Sequence, residues 1–159
     1  MMIQGEFRVA APRERAWAEL SDVGGLASLL PGCDLIEPEG DGRYHVVARA
    51  KVGPIASRFE GRLSVLEAIA GETLRLRVEG RDRLTGSPAR ALMGFRLVPV
   101  SAHETAVRHS ADVVVSGRLG AIGQGVMQRT IATMLEEFIR RLNARIAAIP
   151  ANGAGPGEA

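Results

Sequence analysis

Three histidines, His45, His103 and His109, and a single cysteine, Cys33, are the side chains of this 159-residue chain best suited to carry protons near neutral pH or to hold a soft metal. No two of the histidines stand at i, i+4 around a glutamate, and one cysteine with three dispersed histidines gives no metal-ligand spacing. No G-x-S-x-G elbow occurs, so hydrolase chemistry has no support. Cys33 follows the Pro31-Gly32 turn with no base or arginine dictated beside it, which leaves its thiol unactivated. Catalytic residues and metal ligands are therefore expected to be absent.

Gly120, Gly123 and Gly125 form part of a G-x-G-x-x pattern, with Gln128 where a third glycine belongs. A dinucleotide fold needs a parallel strand after the helix and an acidic residue beyond it, and no such strand follows. These glycines are read instead as the means by which a helix approaches a sheet. His109 is the polar residue that stands out, because Val107, Ala111, Val113 and Val115 place it on the apolar side of its strand. Two readings stay open. It is a core histidine bonded to backbone or a neighbour, or its imidazole donates a hydrogen bond to a ligand carbonyl such as a quinone oxygen. Tyr44 could provide a similar polar handle, while Trp17 is expected to anchor the first helix.

The elements that position these residues follow from periodicity. Ile3, Gly5, Phe7 and Val9 alternate with Gln4, Glu6 and Arg8, the period of a strand with one buried face. Pro12 then starts a short helix bearing Ala16, Trp17 and Leu20. Asp22 caps a second through Leu30, and Pro31-Gly32 ends it. From Leu35 to Ser116 strand follows strand, with turn signals at Glu39 to Gly42, Gly53-Pro54, Ala70-Gly71, Leu84 to Pro88 and Pro99 to His103, a meander of about six or seven strands in all. The last element, Leu119 to Ile149, sets Leu119, Ile122, Val126, Met127, Ile131, Met134, Leu135, Phe138, Leu142, Ile146 and Ile149 on one stripe. Glu136 to Arg140 and Glu137 to Arg141 pair on the other face. The class is α+β, a curved antiparallel sheet around a long C-terminal helix over residues 1–149. Residues 150–159, rich in turn formers, are expected to form a disordered polar tail.

The inward faces of the strands carry small residues, Ala48, Ala50, Gly61, Ala91 and Ala111 among them, and the chain has six aromatic residues. Interiors pack to crystal-like density, so such a surface is met either by a close-packed helix or by a non-protein guest. The candidate lining of an apolar site comprises Leu26 and Leu30 from the second helix and Tyr44, Val46, Ala48 and Ala50 from one strand. Phe59, Gly61, Leu76, Val78, Ala91, Met93 and Phe95 come from the next three, with His109 and Ala111 from the last. Met127, Ile131 and Met134 face them from the long helix. Ten buried methylenes would supply roughly 8 kcal/mol gross against about 4 to 15 kcal/mol for association, which favours a long or ring-bearing ligand.

A net charge of +2, with Lys51 the sole lysine and arginines interspersed with glutamates, argues against nucleic acid as partner. One cysteine and the lack of a leader-like N-terminus point to the cytoplasm.

The run WAELSDVGGLASLLPGCDLIE from Trp17 to Glu37, Lys51-Val52-Gly53-Pro54-Ile55 with Phe59-Glu60-Gly61, and Gly117-Arg118-Leu119-Gly120 before the long helix resemble the G-subunit family of aerobic carbon monoxide dehydrogenase. The resemblance covers nearly the whole chain up to about Ile149. It implies the helix-grip fold of START lipid-transfer domains, polyketide cyclases and plant allergen-like binders. It also implies association with molybdenum hydroxylases, through assembly, membrane recruitment or carriage of a quinone-like acceptor. Relatives tend to carry an aromatic residue where this chain has His109, and longer members add a linker and apolar anchor, so transient docking at the inner face of the membrane is expected here. Leu29, Ile55 and Leu84 are the candidate docking tips.

The expected function is thus a non-catalytic binder of a quinone or lipid, with no covalently bound cofactor, serving a molybdenum hydroxylase. The alternatives are an adaptor without ligand carriage, and a cyclase- or isomerase-like enzyme using His109 with a carboxylate.

Overall fold

Period-two alternation of apolar and polar residues becomes seven antiparallel strands, and the stripe at helical spacing becomes the element they curl around. The structure, a computed structural model, describes residues 1–148. Ile149 and the predicted tail over 150–159 lie outside the described residues.

Strand β1 (Met2–Val9) leads into helices α1 (Arg13–Ser21) and α2 (Val23–Ala27). The meander β2 (Cys33–Gly40), β3 (Arg43–Val52), β4 (Ile55–Ile69), β5 (Thr73–Asp82), β6 (Pro88–Ser101) and β7 (Glu104–Val115) follows. A short helix α3 (Gly117–Gly120) precedes α4 (Gln124–Ala148). The sheet order is β1-β7-β6-β5-β4-β3-β2, so the first strand closes beside the last while α1 and α2 span the gap. Helix α4 touches both β1 and β3, from opposite flanks of that order, which requires the sheet to curl around it. Bulges at Cys33/Leu35 in β2 and Val65/Glu67 in β4 add to the twist that makes the curl.

Two local expectations are corrected. The predicted helix from Leu119 is broken, because Gly123 at φ 106° turns the chain between α3 and α4, and α4 alone runs 25 residues, roughly 38 Å. Glu137 takes both arginines, Arg140 and Arg141, the latter at 2.8 Å, which leaves Glu136 outside the pairing. The Asp22 cap forms as expected, its Oδ1 accepting from the Gly25 N–H.

The core divides into three clusters. Phe7, Val9, Leu20, Leu97 and Val107 pack against Phe138, Leu142 and Ile146 at the C-terminal half of α4. Val23, Val46, Leu63, Leu74 and Leu76 form a second under α2. Val52, Leu119 and Met127 form a third where α3 meets the sheet. The C-terminal half of α4 is also bolted down by polar bonds: Arg15 donates to the Ile146 carbonyl, Asn143 to that of Arg8, and Arg145 to that of Gly25, while Arg145 Nε lies 2.8 Å from Glu19.

At the far end a buried polar hub holds the β5–β6 turn. Asp82, 1% exposed, accepts from Ser57 Oγ, the Arg58 N–H, and both the N–H and Oγ1 of Thr85, and Ser87 Oγ accepts from the Leu119 N–H at the start of α3. Burial alone would raise the Asp82 carboxyl, but these four donors hold it down at about 2.

Candidate functional site

Between the three clusters the middle of α4 does not reach the sheet. Ile131, Met134, Leu135 and Phe138 face Leu76, Met93, Phe95, His109 and Ala111 across a cavity of about 220 Å³, flanked by Ile3, Leu63, the α2 residues Val23, Leu26 and Ala27, and Leu30, which lies in the turn after α2 because that helix ends at Ala27 rather than at Leu30. Apart from His109 and Ser110 every residue lining it is apolar. Pockets for drug-sized ligands run on the order of 300 to 1,000 Å³, so this volume suits a small ring system or part of an alkyl chain.

His109 sits at its sheet wall for a reason visible in the register. It pairs with Gly5 of β1 on one side and Phe95 of β6 on the other. Gly5 has no side chain, and the imidazole occupies the room this leaves, its ring centroid 5.8 Å from that of Phe7. Among the described residues no protein group hydrogen-bonds to it, so the bonded core histidine of the first reading is not what the structure shows. Burial pushes its pKa below the ordinary value, which favours the neutral ring with one N–H donor.

Of the predicted lining, the structure brings together Leu26, Leu30, Leu76, Met93, Phe95, His109, Ala111, Ile131 and Met134. The rest lie elsewhere. Tyr44, Val46 and Val78 belong to the second core cluster, and Ala50 and Met127 to the third. Ala48 and Ala91 face inward beside Phe59 and Val78 in the ladder. Gly61 is small for a different purpose. A Cβ there would lie 2.3 Å from the Glu79 carbonyl oxygen and 2.8 Å from the Phe59 ring, and one on its partner Gly80 2.2 Å from the Glu60 oxygen. Gly61 and Gly80 let the backbones of β4 and β5 approach closely, and the Phe59 ring covers Gly61, so Gly61 does not widen the apolar cavity. Sequence reasoning missed Ile3, Val23, Ala27, Leu63, Ser110, Leu135 and Phe138. The helical stripe had marked Leu135 and Phe138, but nothing in it separates residues facing space from residues facing protein.

Of the three docking tips, Leu84 is 67% exposed on the turn braced by Asp82. Leu29 and Ile55 are half-buried against the first and third clusters, so little of their surface is offered outward. Cys33 is half-buried, and burial raises its thiol pKa. Among the described residues no His, Cys, Asp or Glu side chains group as a metal site requires. No described helix is long and apolar enough to cross a membrane.

A larger groove of about 710 Å³ crosses the outer face of β1, β7, β6 and β5, but Glu6, Arg75, Arg96, Arg108 and Asp112 line it. An apolar ligand gains nothing by displacing water from those charges.

The sequence model for the carbon monoxide dehydrogenase G-subunit family, CoxG, matches residues 5–147. No curated protein matches the sequence. Among solved structures, a conserved protein from Geobacillus kaustophilus is similar with a TM-score of 0.85 at 19% identity, over 93% of this chain and 96% of the other. A START superfamily protein from Mycobacterium smegmatis gives a TM-score of 0.71 at 14% identity, covering 92% and 97%. The Zhui aromatase/cyclase from Streptomyces sp. R1128 gives 0.67 at 16% identity, covering 91% and 92%. At such identities these likenesses establish a START-like helix-grip fold.

Proposed function

The chain belongs to the CoxG family, the G-subunit family of carbon monoxide dehydrogenase, and from that premise we propose that it is a non-catalytic binder of an apolar, quinone- or lipid-like molecule, accessory to a molybdenum hydroxylase of the carbon monoxide dehydrogenase type. The observation that carries this reading is the cavity of about 220 Å³ between α4 and the sheet, apolar but for His109 and Ser110. A small apolar ring gains from every methylene-sized area it removes from water there, and the neutral imidazole gives a carbonyl oxygen one directional hydrogen bond.

Cyclase-like catalysis is the weaker reading, although an aromatase/cyclase shares the fold. Acid–base chemistry would need a second proton-transfer group beside His109, and no carboxylate lines the cavity. The ligand is collected by transient contact at the inner face of the membrane, with exposed Leu84 as one contact point.

Trp17 is the sole tryptophan and packs against the two clusters flanking the cavity, so its fluorescence reports occupancy. Titration with menadione, a small quinone, is expected to quench it saturably, and Ala111→Leu, which fills part of the cavity, to weaken the binding. Linear, unsaturable quenching identical in both proteins would refute the proposal.

A further inference from the structure

Beside the cavity lies a second concavity of about 540 Å³ that the apolar reading does not use. It forms where β3 runs on past the first β2 pair, Cys33 with Ala48, leaving a cleft between the end of β3 and the first half of α4. Its walls continue those of the cavity. Met134 lines both, and Leu30 of the cavity is followed directly by Pro31 and Gly32 of the cleft. Leu30, 37% exposed, stands at this boundary.

The cleft's chemistry is opposite to that of the cavity. Arg49, Lys51 and Arg129 line it and no acidic residue does. Arg49 is committed to Asp34, with bonds of 2.7 and 2.9 Å. Lys51 and Arg129 are exposed and have no ion-pair partner among the described residues. Thr130 donates its hydroxyl to the Val126 carbonyl within α4, whereas the exposed Thr133 hydroxyl makes no such bond among the described residues.

We propose that this cleft is a head-group site for a carboxylate or phosphate carried on an aliphatic tail, the tail entering the cavity between Leu30 and Met134. The proposal rests on the cavity being a ligand site and selects, within that reading, an anionic amphiphile as its cargo. Lys51 and Arg129 supply the charge, and Thr133 supplies a neutral donor. A tail anchored at its head also accounts for a cavity smaller than a whole lipid, since the head and first methylenes remain in the cleft.

The test compares oleate, dodecyl phosphate, oleyl alcohol and inorganic phosphate by calorimetry at low salt, on the native chain and on the double variant Lys51→Ala, Arg129→Ala. Both side chains are exposed, so circular dichroism should be unchanged. The anionic amphiphiles are expected to bind about tenfold or more tighter than oleyl alcohol, the preference vanishing in the double variant while alcohol binding stays the same. The ratio of oleate to dodecyl phosphate affinity identifies the head. Equal affinity for oleate and oleyl alcohol, a preference that survives the double variant, or inorganic phosphate binding as tightly as dodecyl phosphate would overturn the head-group site and leave the cavity reading standing. Failure of all three amphiphiles to bind while menadione still binds would likewise overturn the head-group site alone, whereas failure of menadione together with the amphiphiles would overturn the cavity reading as well.

Discussion

A Cβ added to Gly5 would lie 2.8 Å from Nε2 of His109, closer than real Cβ contacts come. The two residues are register partners on β1 and β7, and the missing side chain of one is the seat of the other's ring. That seat aims an unbonded imidazole along the wall of an apolar cavity rather than into packed protein.

Gly5→Ala therefore has a directed effect. The imidazole is the far end of a rotatable side chain, so it yields toward the cavity instead of straining the backbone. The expected thermal destabilisation is about 1 kcal/mol, with menadione affinity falling several-fold. In a His109→Ala background, Gly5→Ala should change neither quantity further, which a double-mutant cycle by calorimetry and thermal denaturation reads directly.

His109→Phe separates the hydrogen bond from the apolar contact. Menadione should lose about three- to tenfold in affinity, the worth of one hydrogen bond, while methylnaphthalene, a hydrocarbon of similar shape, binds as well or better. Equal losses for both compounds would assign His109 a packing role only.

The same histidine sets a pH dependence. Its pKa is lower folded than unfolded, so the unfolded chain takes up the proton first as pH falls. The stability it contributes is complete above the unfolded value, near 6.5, and is lost as pH drops through the folded one. Urea midpoints measured from about pH 7.5 to pH 5 should fall more steeply for the native chain than for His109→Phe.

The polar hub predicts a second window at lower pH. Asp82 titrates at about 2 when folded, against 3.8 as its ordinary value. Its contribution, roughly 2 kcal/mol, is present above about pH 4 and is lost as pH falls toward 2. Asp82→Ala removes the acceptor from Ser57, Arg58 and Thr85 and should cost about 2 to 4 kcal/mol at pH 7, with its acid dependence in this window flattened. Urea denaturation of the two proteins at about pH 7 and pH 3 checks both statements.

Alternation along Ile3 to Val9 and through the meander made the strands and their inward faces legible in the sequence, since a one-residue slip would turn His109 and Ala111 to solvent. The break at Gly123 was not legible, because Ile122 and Val126 keep the helical spacing across it and only the positive φ reveals the turn. The site was half legible for a related reason. Composition shows that a residue is small but not what stands opposite it: Ala111 faces the cavity, whereas Gly61 faces the backbone of β5. The basic cleft was hidden entirely, since Lys51 and Arg129 are far apart in sequence and line one cleft only because β2 begins at Cys33, opposite Ala48, and leaves the end of β3 uncovered.

Whether an apolar guest occupies the space between α4 and the sheet is tested most directly by native mass spectrometry of the freshly purified chain, before and after incubation with menadione and oleate. A stoichiometric adduct is expected, reduced in Ala111→Leu, that organic extraction recovers as an apolar molecule. A protein of bare polypeptide mass that takes up neither compound at any concentration tried would contradict the cavity's role as a ligand site.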